Sequence, residues 1–156
     1  MNYVDISMDN VAYAVEIARE LHALGTFGHN GPPFDWGFCM YAFSNVCMDP
    51  NRYGKFAVDD DGVFVGGVVG HVDTFMFSPK LMGIEDGWYV REGTPKRASI
   101  AMKLMRGFVD WCLDEKGALL VQTGDIAAIH SHAVHVLYKH MGFEQFGTVY
   151  KFQRNV

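Results

Sequence analysis

Residues 89–108 read YVREGTPKRASIAMKLMRGF and constrain the fold more than any other stretch of the chain. They pass from a strand end, through a Gly/Pro turn, into a helix whose apolar positions Ile100, Leu104, Phe108 and Trp111 share one face. A helix start presents backbone N–H groups without intrahelical partners and a partial positive charge, which together favour an anion. Between Arg91 and Arg106 five basic residues stand against the single acid Glu92, a local balance of +4 in a chain of formal net charge -5. Positive charge is therefore concentrated where backbone geometry already favours a phosphate. A solvated helix face with clustered Lys and Arg is the plainer alternative. The small residues Ala98, Ser99 and Ala101 favour the phosphate site, because they let a ligand approach the backbone closely.

The 156 residues make one domain, residues 1–156, long enough to bury a core. YVDIS (3–7) predicts a first strand and Asp9 a cap. Val11, Ala14, Val15, Ala18 and Leu21 then recur at helical spacing up to Gly25. TFGHNGPPFDWG (26–37) reads as a loop, and residues 38–48 as a second helix. KFAVDDDGVFVGGVVGHVDTFMF predicts two strands around a turn at DDDG, and MGIEDGWYV (82–90) a third strand. A long helix covers 98–115 and stops at Gly117. ALLVQTG (118–124) reads as a short buried strand. A helix follows from about Ala127 to Met141, with Ile129, Ala133, Val136 and Leu137 on its apolar side. The tail FEQFGTVYKFQ predicts a hairpin or pair of strands. The expected order is β-α-α-β-β-β-α-β-α-β-β, a single α/β domain.

The acidic balance argues against general nucleic-acid binding, which needs a basic surface. Three cysteines, Cys39, Cys47 and Cys112, form no CxxC pair, so neither a disulfide framework nor a cysteine zinc site is expected. The N-terminal MNYVDISMDN has no basic start and no apolar core of a leader, and no run approaches 18 apolar residues. A soluble cytoplasmic domain is expected, with no membrane partner.

The segment HVLYKHMGFEQFG (135–147) closes a helix with Gly142 and Phe143 and sets Tyr138 one turn inside that end. Leu137, Tyr138, Gly142 and Phe143 match a Leu-Tyr-x-x-x-Gly-Phe pattern, with Ser131 where an asparagine is usual. Upstream, Lys96, Arg97, Ala98, Ser99, Ile100 and Ala101 match a phosphate loop of the form Gln/Arg-x-x-Gly-x-Gly/Ala. Lys96 stands for the usual Arg or Gln, and Ser99 for the first glycine. With these motifs and its element order, the chain resembles the GNAT superfamily of acyl-CoA-dependent N-acetyltransferases along nearly its whole length.

The resemblance implies an α+β domain with a mixed, mostly antiparallel central sheet flanked by helices, and acetyl-CoA as co-substrate. It implies that Lys96 to Ala101 hold the pyrophosphate. It also implies that backbone around Trp88, Tyr89 and Val90 bonds the pantetheine arm and polarises the thioester carbonyl. Tyr138 would sit near the sulfur and protonate the leaving thiolate; simple ring packing is the alternative. Strand alternation lets only one of Glu85 and Asp86 face the cleft, Glu85 with Tyr89 or Asp86 with Trp88. We place the base at Glu85, with Asp86 as the alternative. The loop between the first two helices is implied to shape the acceptor pocket, through Phe34, Asp35 and Trp36 together with His29 and Asn30. A carboxylate there suits a cationic amine, either a small molecule or a protein amine.

His130, His132, His135 and His140 crowd one helix, but His132 and His135 lack a third ligand in register, so no metal is expected. His71 and Asp73 on the long strand are further candidates for the acceptor cleft. The leading expectation is direct attack of a primary amine on acetyl-CoA in a ternary complex. A binding or regulatory protein of the same fold with weak or no turnover is the alternative, motivated by Ser99 and Ser131. An acidic surface mimic, or a hydrolase built on Cys39 or Cys112, has less behind it. The acceptor, the acyl chain and the oligomeric state, a homodimer included, stay open.

Overall fold

The strand FVGGVVGHVDT alternates β-branched residues with glycines, and both features set how close its neighbours lie. In the computed structural model it is the central strand of a five-stranded sheet. The structure describes residues 1–25, 31–125 and 129–147. The elements are β1 (Asn2–Asp5), α1 (Val11–Leu24), α2 (Trp36–Met48), β2 (Arg52–Val58), β3 (Phe64–Thr74), β4 (Leu81–Val90), α3 (Arg97–Asp110), β5 (Val121–Gln122) and α4 (Ser131–His140). One π-helical turn, Trp111–Glu115, extends α3. The sheet order is β1-β2-β3-β4-β5, antiparallel throughout except for the parallel pair β4–β5.

Helix α3 covers one face of the sheet, where Val68, Val90, Leu104, Met105 and Phe108 are almost wholly buried. Helix α1 covers the other face, against Ile6, Phe56 and Tyr89. Gly70 of β3 faces the Phe108 ring of α3. A Cβ there would lie 2.5 Å from the Phe108 ring and 2.7 Å from the Ile84 carbonyl oxygen. Neither a packed ring nor a ladder carbonyl can move aside cheaply. Gly70→Ala is expected to destabilise the fold by about 1–3 kcal/mol, read from urea unfolding; a neutral result would mean that α3 is not seated on β3.

Several boundaries differ from the sequence expectation, each for a local reason. The first strand ends at Asp5, because the Asn10 side chain accepts the Ser7 N–H at 2.8 Å and donates to the Asp5 carbonyl at 3.0 Å. Asn10, not Asp9, is the residue before α1. Helix α2 starts two residues early, because the Asp35 carboxylate caps it by accepting the Phe38 N–H at 2.8 Å. The strand expected over 118–124 shrinks to two paired residues, Gly83 with Val121 and Ile84 with Gln122. Leu119 and Leu120 add single backbone bonds to Leu81 and Gly83. Helix α4 packs Leu137, Tyr138 and Met141 on the core, while Val136 is 52% exposed. The expected terminal hairpin has no strand over 143–147, and its remainder lies outside the described residues, as do His29 and Asn30.

Strand β4 carries a bulge. Val69 pairs with Gly87 and Gly70 with Glu85, so Asp86 has no backbone ladder partner in β3. The residue faces shift by one at this point. Glu85 and Trp88 consequently lie on the same side of the sheet, and Tyr89 faces α1. The expected pairing of Glu85 with Tyr89 is therefore wrong, because it assumed a regular strand.

Candidate active site

Beyond Ile84, β4 has no neighbouring strand on its β5 side among the described residues. The gap opens into a cavity of about 1080 Å³. Glu85 to Tyr89 form its floor, the start of α3 one wall and α4 another, while Leu21 of α1 and Phe34 before α2 reach its far end. The bulge brings both Glu85 and Asp86 to this cavity, where regular alternation would have admitted only one.

Beside it four side chains are tied together: Glu85 and Trp88 line the cavity, whereas Thr123 and Tyr138 do not. The Trp88 Nε1–H donates to Tyr138 Oη at 2.8 Å. Thr123 Oγ1 lies 2.7 Å from Tyr138 Oη and 2.7 Å from Glu85 Oε2. The Gly124 carbonyl oxygen accepts from Tyr138 at 3.1 Å, and the Gly124 N–H points to Glu85 Oε2 at 3.4 Å. Trp88 and Tyr138 also meet edge to face, with ring centroids 6.3 Å apart. Burial pushes the Glu85 carboxyl up to about 7, with the charges of Asp86 and Asp125 adding to the rise and the Thr123 and Gly124 hydrogen bonds opposing it. Burial, and then the Glu85 charge, push the Tyr138 phenol up to about 12. A carboxyl raised to about 7 and a phenol neutral at that pH are an acid–base set one hydroxyl apart.

The basic cluster of residues 91–106 disperses in three dimensions. Arg91 is held by Glu20, with Nε and Nη2 contacts of 2.7 to 3.2 Å, and also donates to the Phe64 carbonyl at 2.6 Å. Lys103 lies over the Tyr3 ring at 4.6 Å. Lys96 and Arg97 remain at the start of α3. Lys96 takes a left-handed φ of 58°, and Arg97 donates from Nε to the Val90 carbonyl at 2.8 Å with its guanidinium over Tyr89. Arg97, Ala98 and Ala101 line the cavity, Ser99 is exposed outside it, and Ile100 is buried in the core. The side chains of Tyr89 and Val90 are buried; Tyr89 still borders the cavity, whereas Val90 does not and its carbonyl is taken by Arg97.

Of the acceptor candidates, Phe34 lines the cavity and packs edge-on against His22 at 5.6 Å. Asp35 is the α2 cap and Trp36 the first residue of that helix, and neither lines the cavity. His71 is also outside it, but its Nδ1 lies 2.9 Å from Asp86 Oδ2, with Arg52 3.9 Å from the same oxygen. Asp73 accepts from the Thr74 N–H. His130, His132 and His140 line the α4 wall, and His130 pairs with Glu92 at 2.9 Å. No group of three potential metal ligands occurs among the described residues. Cys112 is buried with its thiol pushed up to about 12, which leaves no thiolate at neutral pH and removes it as a nucleophile. Thr123 was not among the expected site residues; a lone threonine ending an apolar run carries no signal in sequence.

The cleft between β4 and β5, with a helix start at one end, defines the class: the chain has the fold of the GNAT acetyltransferases. Among solved structures it is similar to aminoglycoside acetyltransferase AAC(6')-Iy in complex with the bisubstrate analogue CoA-S-monomethyl-acetylneamine. The TM-score there is 0.74 at 14% identity, covering 99% of this chain and 98% of that one. It is also similar to the ribosomal-protein-alanine N-acetyltransferase from Brucella melitensis biovar Abortus 2308, with TM-score 0.68, 12% identity and coverage of 99% and 100%. A third likeness is to AAC(6')-IG from Acinetobacter haemolyticus, with TM-score 0.71, 14% identity and coverage of 100% and 99%. No protein-family model and no curated protein matches the chain. No helix among the described residues is long and apolar enough to cross a membrane.

Proposed function

We propose that this chain is an acyl-CoA-dependent N-acetyltransferase that moves the acetyl group of acetyl-CoA to a primary amine by direct attack in a ternary complex. One observation carries the reading: a carboxyl on the cavity floor with a value near 7 and a neutral phenol beside the cavity share the Thr123 hydroxyl. The residues present fit the co-substrate. The start of α3 with Arg97 and Lys96 suits the phosphates, and Ala98 and Ala101 leave the backbone accessible. The free edge of β4 around Trp88 offers backbone groups to the pantetheine amides and to the thioester oxygen. Glu85 takes a proton from the attacking nitrogen, and Tyr138 gives one to the departing sulfur. Holding amine and thioester together supplies the rest of the acceleration. A fold neighbour solved with a CoA bisubstrate analogue supports the reading, as does one named a ribosomal-protein-alanine N-acetyltransferase.

The acceptor side is acidic and aromatic: Glu85, Asp86 and Asp125 with Phe34 and Trp88. It suits a cationic amine with an apolar portion. The test is calorimetric titration with acetyl-CoA, followed by a product assay on neamine and on a peptide beginning with alanine. Arg97→Ala is expected to weaken acetyl-CoA binding by roughly 10- to 100-fold, the value of one charge-assisted hydrogen bond. Unchanged affinity would remove the phosphates from this helix start. Tight binding without product on any amine would favour the binding protein over the enzyme.

A further inference from the structure

We propose that Thr123 is the coupling residue between base and acid, its hydroxyl hydrogen pointing to Glu85 while that carboxylate is ionised and turning to Tyr138 once Glu85 holds a proton. The inference rests on the acetyltransferase reading for its role in turnover, but its structural half stands on hydrogen counting alone. Thr123 Oγ1 has two oxygens at 2.7 Å, Glu85 Oε2 and Tyr138 Oη, and a single hydrogen to offer them.

With Glu85 ionised, its oxygens accept only, so the Thr123 hydrogen goes there. Tyr138 Oη then accepts from Trp88 alone and donates to the Gly124 carbonyl or to a Thr123 lone pair. With Glu85 protonated, its O–H donates to Thr123 Oγ1 and the Thr123 hydrogen turns to Tyr138. The phenol oxygen now accepts from both Trp88 and Thr123, and the nearby negative charge that opposed a phenolate is gone. The phenol thus becomes the stronger acid after the base has acted. Asp86 on the bulge of β4 and Asp125 after β5 are the other charges facing Glu85, and both act on it in the same direction in either state.

The protons balance. A primary ammonium loses two on becoming an amide. One goes to bulk water. The other goes from nitrogen to Glu85; the N–C bond forms, the C–S bond breaks, and Tyr138 gives its proton to the sulfur. The phenolate is refilled from Thr123, which is refilled from Glu85, so all three groups end as they began. Trp88 and Gly124 hold the phenol in line but carry no proton through the chain.

Thr123→Val keeps the shape and removes the hydroxyl, whereas Thr123→Ser restores it. The first readout is carbon-13 NMR of the free, full-length protein, following the Glu85 side-chain carboxyl and the Tyr138 Cζ across pH 5 to 9. In wild type and in Thr123→Ser, the Tyr138 resonance is expected to step at the Glu85 midpoint. In Thr123→Val most of that step disappears while Glu85 still titrates. A Tyr138 step of undiminished size in Thr123→Val, or none in wild type, overturns the proposal. The second readout is turnover of whichever of neamine or the alanine peptide is acetylated. There Thr123→Val lowers kcat by on the order of 10²-fold with little change in either KM, and Thr123→Ser recovers most of it. Turnover in wild type with kcat unchanged in Thr123→Val overturns the coupling and leaves the acetyltransferase reading intact. Absence of turnover in wild type fails that reading, and the NMR result still decides the hydrogen switch.

Discussion

Glu85→Gln is expected to lower kcat/KM for acetyl transfer by about 10²- to 10⁴-fold, with the deficit largest above pH 7. Glutamine keeps the size of the side chain and an oxygen for Thr123, but it takes no proton. In the wild type the rate should rise with pH as the carboxyl ionises near 7 and then level off. In the variant this rise disappears. Stability moves the other way. The folded-state value of about 7 lies above the ordinary 4.5, so the folded protein holds this proton more tightly than the unfolded chain does. That contribution is fully present below the ordinary value and is lost as pH rises through about 7. The wild type should therefore lose stability relative to Glu85→Gln across this window, as urea unfolding at its two ends would record. Under the proposed mechanism, ionising Glu85 costs the fold something at the pH where turnover is expected to be fastest. A variant that keeps wild-type activity at pH 8 would remove Glu85 from the chemistry.

Phe108→Ala has the largest expected effect on the fold itself, about 3–5 kcal/mol of lost stability. The ring is fully buried, stacks on Trp111 at 6.2 Å and lies 5.7 Å from Tyr53. Its contact on β3 is Gly70, which has no side chain with which to fill the vacated space. Little collapse is available there, so the loss should fall toward the upper part of that range. At roughly 2–4 °C per kcal/mol for a chain of this size, the melting temperature drops by about 10 °C or more. Calorimetry checks it. A loss of only about 1 kcal/mol would mean that α3 does not seat on β3 through this ring.

The long elements were legible because their periodicity is strong. The α3 stripe of Ile100, Leu104 and Phe108 is buried as its spacing predicts, and the central strands fall where alternation and the DDDG turn put them. Single hydrogen bonds set the ends, and those were not legible. Asp35 looked like an acceptor-site carboxylate because nothing in its type separates a ligand from a helix cap; the Phe38 N–H decides it. Arg91 and Lys103 were counted into the positive charge at the helix start because a count along the chain ignores Glu20 and Tyr3, which are distant in sequence. Tyr138 was singled out by its place in the Leu-Tyr-x-x-x-Gly-Phe pattern, and Glu85 by strand alternation. Their link was not legible, since Thr123 joins residues 38 and 15 positions away.

The unpaired Asp86 has a consequence for insertion and deletion. Removing one residue from the middle of a central strand ordinarily turns everything beyond it over to the opposite face. Removing Asp86 does not, because Glu85 would then abut Gly87 and the ladder to Gly70 and Val69 would close without a skip. Val90 would still face α3 and Tyr89 would still face α1. Loss of any single paired residue between Gly87 and Val90 would instead exchange faces over part of the strand. When this chain is laid beside others of its fold, position 86 is where a one-residue gap can fall without disturbing the core.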